Sequence, residues 1–222
     1  MSQSKYFVSS IGRKQVMAIA GILLCLFVLM HAAGNMLIFV GPAAYNKYSH
    51  VLISNPFIYL AEAGLVVFFI GHILSGIVVS VLNSEARDTG YAKLAKGEKK
   101  TSLVARSMLL QGLIVLGFVV LHLITFKYGA NYDTTIDGVK MRDIFTLVSE
   151  TFMSPLYVAW YVIAVVILGF HLGHGLASSF QTLGLNHPKY SELIKKISVL
   201  YSFVVTAAFV SQPLYMFFIY KG

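Results

Sequence analysis

Five long stretches of this sequence carry almost no charge, and a chain built that way can fold in very few environments. They run Val16–Val40, Phe57–Leu82, Leu103–Phe126, Leu156–Phe180 and Ile197–Tyr220. A bilayer core about 30 Å thick is crossed by roughly 20 apolar residues in a helix. At that depth no water satisfies the backbone, so each span must close its own hydrogen bonds, which selects helices. The expectation is an all-α integral membrane protein: one bundle of five transmembrane helices, a single domain over residues 1–222. Only 12% of the residues are charged, against about 25% in soluble proteins. No room is left for a soluble catalytic domain.

The charges that remain set an expected orientation. Lys5, Arg13 and Lys14 precede the first span. Arg87, Lys93, Lys96, Lys99, Lys100 and Arg106 lie between the second and third, and Lys189, Lys195 and Lys196 between the fourth and fifth. The opposite loops are poorer in cations or mix them with acids. Short basic loops stay on the cytoplasmic side. The N-terminus is therefore expected in the cytoplasm and the C-terminus outside, in a multi-pass protein of the cell inner (cytoplasmic) membrane. The net charge of +8 is explained by topology and anionic lipid, so no nucleic-acid partner is expected. The first apolar run exceeds the about 7–15 residues of a signal-peptide h-region and reads as a span. The lone Cys25 reads as a reduced structural residue. Pro42 and Pro56 bracket the first loop, Pro155 opens the fourth span, and Pro213 should kink the fifth.

Histidines are the chemical signal. Five of the seven fall inside spans: His31, His72, His122, His171 and His174. Ionisable groups at membrane depth are rare and usually functional. At about 1.5 Å rise per residue, His72 and His171 both lie roughly 15 Å from the cytoplasmic ends of their spans, while His31 and His122 lie roughly 22–28 Å from theirs. Two pairs at two depths, each split between two helices, match a bis-histidine haem, whose iron takes one imidazole from each side of the ring. Gly34, Gly76 and Gly175 follow the histidines at helical spacing and are expected to clear faces for a macrocycle. Haem propionates need donors near the surface, and Arg13, Lys14, Arg106, Ser178, Gln181 and His174 are the candidates. Glu62 is the only carboxylate in any span, and it is a candidate proton relay for quinone chemistry. Asn35, Tyr45 and His50 are further candidates for that site.

Several segments carry a family resemblance. They are Ser9-Ser10-Ile11-Gly12-Arg13-Lys14, Met30-His31-Ala32-Ala33-Gly34-Asn35, Gly71-His72-Ile73-Leu74-Ser75-Gly76, Leu121-His122 and Phe170-His171-Leu172-Gly173-His174-Gly175. In their order, one histidine motif on each of the first four spans, the chain resembles the five-helix dihaem cytochrome b membrane-anchor subunit of bacterial succinate dehydrogenases and fumarate reductases. The resemblance implies two haems b: a proximal one on His72 and His171, and a distal one on His31 and His122. It implies partners as well, an iron–sulfur subunit and a flavoprotein that interconverts succinate and fumarate. The anchor itself would be the quinone-reactive part of the enzyme, with menaquinone favoured. Some members carry a glutamate two residues before the fourth-span ligand for transmembrane proton transfer. This chain has Gly169 there, which puts that route in doubt.

Two other readings stay open at this point. One is a haem-b quinol anchor of another respiratory dehydrogenase, such as a formate dehydrogenase or hydrogenase. The other is a histidine-lined metal transporter, which would call for more carboxylates or cysteines along a path than this chain has.

Overall fold

A computed structural model describes residues 9–85, 104, 107–185 and 187–220. Five of its helices are long and apolar enough to cross a membrane, as the hydropathy requires. The first, α1, is Ser10–Asn35 and tightens into a 3-10 turn, Met36–Phe39. Gly41 (φ +125°) reverses the chain. A short helix, α2, follows at Pro42–Ser54. The second span is α3, Phe57–Glu85. The third is α4, Met108–His122, which runs into a π-helical turn over Leu123–Lys127. A hairpin of β1 (Asp133–Ile136) and β2 (Val139–Arg142) leads into α5, Ile144–Thr151. The last two spans are α6, Pro155–Thr182, and α7, Pro188–Phe218.

Two features correct the sequence reading. The first and last spans belong to helices that start earlier than hydropathy marks, at Ser10 rather than Val16 and at Pro188 rather than Ile197. Hydropathy finds where the bilayer begins, whereas the helices begin at their caps. The Ser9 hydroxyl accepts from Gly12 N at 3.1 Å. Pro188 stands at the first turn of α7, where its missing N–H costs little. The segments taken as loops also fold: α2, the hairpin and α5 lie together at the far end of the bundle, opposite the end where α1 starts. The loop between the second and third spans lies outside the described residues, and Arg106 with it.

Helix α6 is the axis of the bundle. A third of its apolar window is buried against 6% for α3. It packs on α7, α1 and α4, while α1 packs on α3. Without a hydrophobic drive between helices in lipid, close approach relies on small residues. Gly169 and Gly173 provide it on α6. A Cβ at Gly169 would meet Thr206, and one at Gly173 would stand 2.9 Å from the Ser202 hydroxyl, both on α7. Gly169 is thus a packing glycine. A side chain there would collide with α7.

The far end is sealed by polar ties. Asn46 of α2, 1% exposed, donates to Asp143 Oδ1 at 2.8 Å and accepts from Phe145 N at 3.0 Å. Lys47 pairs with Asp137. The Arg142 guanidinium donates to the carbonyl oxygens of Lys127, the last residue of the π turn, and Ala130 just beyond it. Aromatic and aliphatic side chains, among them Phe118, Phe145, Phe152, Tyr161 and Met216, fill the core beneath this cap.

Candidate functional site: two histidine couples

The four histidines meet in two couples. His72 of α3 faces His171 of α6, ring centroids 6.1 Å apart and planes at 78°. His31 of α1 faces His122 of α4 at 5.8 Å and 90°. The first couple lies nearer the end where α1 begins, and the second nearer the cap. The helices of each couple pack little against each other along their backbones; the neighbouring pairs α1–α3, α1–α6 and α4–α6 carry the close packing. Each couple therefore reaches across the bundle diagonally, imidazole to imidazole.

Three helices agree on the spacing between the two levels. On α1, Gly21 lies against the near couple, ten residues before His31. On α4, Gly112 lies against His171, ten residues before His122. On α6, Tyr161 touches His122, ten residues before His171. Ten residues of helix rise about 15 Å. That separates the couples by roughly half a bilayer core.

The near couple is built around a notch. His72 Nδ1 donates to the Met17 carbonyl oxygen at 3.2 Å. A carbonyl can only accept, so Nδ1 carries the proton and Nε2 keeps its lone pair. Gly21 makes the approach possible: a Cβ there would stand 3.3 Å from His72 Cε1 and 3.4 Å from Nδ1. His171 Nδ1 is buried and has no hydrogen-bond partner among the described residues.

The far couple is lined by aromatic rings. Phe27 stacks on His31 at 5.5 Å, Phe209 lies 5.7 Å from it, and Phe118 and Phe126 flank His122. The Tyr161 hydroxyl is 3.1 Å from His122 Nδ1. The Asn35 amide donates to the His31 carbonyl at 2.8 Å, and its contacts with the His31 ring are long, 3.4 Å at best.

This donor set fits a haem iron. A metal–imidazole nitrogen bond is about 2.0–2.1 Å, so two rings on opposite sides of one iron have centroids roughly 6–6.5 Å apart. Both couples come close to that separation, and the protonated Nδ1 of His72 leaves the other nitrogen to ligate. Among the described residues, no three or more His, Cys, Asp or Glu side chains gather as an ion site would demand. A haem asks of the protein only the two axial ligands each couple has.

The other expected residues are more scattered. His174 joins neither couple. Arg13 is half-buried near the start of α1, at the end nearer the His72–His171 couple, and pairs with no carboxylate among the described residues. Lys14 is exposed beside it, and Ser178 and Gln181 lie at the same end on α6. Glu62 pairs with Lys127 of the π turn, both side chains about two-fifths exposed. It is thus one half of a charge pair rather than an isolated carboxyl. Tyr45 donates to Asn35 Oδ1 at 2.7 Å, which brings those two together beside His31. Burial, and then Tyr48, push the Tyr45 phenol above its usual pKa and keep it a donor. His50 stands apart and, among the described residues, makes only a long contact to Ser54.

The glycines behave differently from expectation. The space beside Gly34 is taken by the Tyr48 ring. Gly76 faces Met17 Sδ and Gly175 faces Met108 Cε at ordinary contact distances. The glycines that lie against imidazole are Gly21 and Gly112, on neighbouring helices. Their signal in the sequence is level rather than spacing: each sits at the depth of a histidine on another span.

Comparison with known protein families, with curated proteins and with solved structures finds no match to this chain.

Proposed function

We propose that this chain is the membrane-anchor cytochrome b subunit of a succinate:quinone oxidoreductase. In this reading it carries electrons through two haems b, between an iron–sulfur subunit and a membrane quinone, with menaquinone favoured. Succinate chemistry would reside on a flavoprotein partner. The observation that supports it best is the pair of histidine couples, both close to the separation one iron requires and about 15 Å apart in depth.

His72 and His171 would hold the proximal haem, and His31 and His122 the distal one. Bound haem supplies a one-electron carrier at each level, with its potential set by axial ligands, burial and neighbouring hydrogen bonds. The chain's own residues do the rest. Met17 and Gly21 hold the His72 ring in one tautomer and one orientation. Phe27, Phe118, Phe126 and Phe209 exclude water around the far couple. Arg13, His174 and, outside the described residues, Arg106 are the donors assigned to propionates. At the far end Glu62 would take and release protons for quinone, with Lys127 as its counter-charge. The N-terminus and the proximal haem would face the cytoplasm, where the iron–sulfur subunit docks.

Affinity purification of the tagged chain from its native membrane tests the assembly. The expected result is co-elution of a flavoprotein and an iron–sulfur protein, with succinate:quinone reductase activity in the eluate. A haem-containing eluate with a different catalytic chain and no such activity would overturn the succinate assignment while leaving the cytochrome in place.

A further inference from the structure

Resting on the two-haem reading, we propose that Tyr161 is the positioning residue of the far couple: its hydroxyl oxygen accepts the Nδ1 proton of His122 and commits the opposite nitrogen, Nε2, to iron. The 3.1 Å contact joins these two atoms. A neutral imidazole carries one proton on one of two nitrogens, and the group bonded to Nδ1 decides which. With Tyr161 accepting, His122 Nε2 keeps its lone pair. With Tyr161 donating instead, Nε2 would bear the hydrogen and could not ligate.

The tyrosine is held for this task. It is 6% exposed. Phe118 and Phe152 meet its ring edge-on at 4.8 and 5.0 Å, Phe126 stands perpendicular at 5.9 Å, and Tyr157 stacks on it at 5.3 Å. A ring pinned on these sides cannot swing its hydroxyl away from α4. The near couple achieves the same end by other means, through the Met17 backbone carbonyl. His171 has no such partner among the described residues, and His31 has only the long Asn35 contact. In each couple one imidazole is anchored through Nδ1 and the other is less constrained. A hydrogen bond from Nδ1 raises ligand basicity and favours the oxidised metal. Tyr161 should therefore hold the potential of its own haem down and leave the other untouched.

Tyr161→Phe removes the oxygen and keeps the packed ring. Tyr157→Phe is its control, because the Tyr157 hydroxyl meets Thr125 and not His122. Both variants are purified with haem, titrated redox-potentiometrically, and examined by low-temperature electron paramagnetic resonance for the axial-ligand signals. The expected result is a raised midpoint potential and altered ligand signal for one haem in Tyr161→Phe, or loss of that haem alone, with Tyr157→Phe like wild type. Unchanged potentials in Tyr161→Phe would overturn the proposal. So would equal shifts or losses in both variants, since the ring stack rather than the hydrogen bond would then be responsible. A wild-type chain without haem bands would sink the functional reading itself, and this inference with it.

Discussion

Gly21 acts through the atom it lacks. The Met17 carbonyl is four residues before it, so a side chain at position 21 would stand over the oxygen that His72 needs. Gly21→Val should push the His72 ring off that oxygen and lower haem content from two per chain toward one. Gly76→Ala, whose new carbon would meet only Met17 Sδ at 3.7 Å, should keep both. Haem-to-protein ratios of the two purified variants decide the matter, and equal ratios would count against the notch. Glu62 is the second residue to which the proposed function gives a task. Loss of a working proton donor typically costs about 10²-fold or more in rate, so Glu62→Gln should slow quinone reduction by that order with haem content intact. Undiminished quinone turnover in Glu62→Gln would leave the Glu62–Lys127 pair as a surface ion pair, of little worth.

At the scale of elements, the tightest demand is between α6 and α7. Overpacking a close interface costs about 1–3 kcal/mol, so Gly173→Leu, driven against Ser202, should lower the melting temperature of the detergent-solubilised protein measurably. At the far end, Asp143 caps α5 by accepting from Thr146 N at 3.0 Å. Burial alone would raise its carboxyl pKa, but the bonds from Thr146 and Asn46 together hold it below the usual value. A carboxyl depressed in the folded state stabilises above its unfolded pKa of about 3.9 and loses that contribution as pH falls through the lower folded value. Asp143→Ala should cost about 1–2 kcal/mol at neutral pH, and the gap to wild type should close on acidification. Melting curves at pH 7 and in strong acid test the sign. The elements missing from the sequence reading have physical reasons. Hydropathy averages over a bilayer's thickness, so it is blind to α2 and α5, which are short and half polar. The hairpin did leave a mark, Asp137-Gly138, whose positive φ angles of 53° and 77° make the tight turn. The start of α7 was hidden because Lys189, Lys195 and Lys196 lie in a helix that extends beyond the apolar window.

Across the whole molecule, depth was legible and azimuth was not. Counting residues from span ends sorts the histidines into two levels, because rise per residue is fixed. The structure brings the same residues together: His72 with His171 and His31 with His122. Which glycines lie beside them, and that Tyr161 reaches His122, depend on how each helix is rotated about its axis. Only packing sets that, and no spacing along one helix encodes a neighbour on another. The resulting plan is two diagonal couples stacked along one bundle, with the capped end over the far couple. If each couple clasps one haem, the two are independent in assembly and adjacent in space. The most direct test is haem b stoichiometry from the dithionite-reduced spectrum of purified wild type, His31→Ala and His72→Ala. Two haems in wild type and one in each variant, with different potentials remaining, is the predicted result; a colourless wild type, or variants that keep both haems, would contradict it.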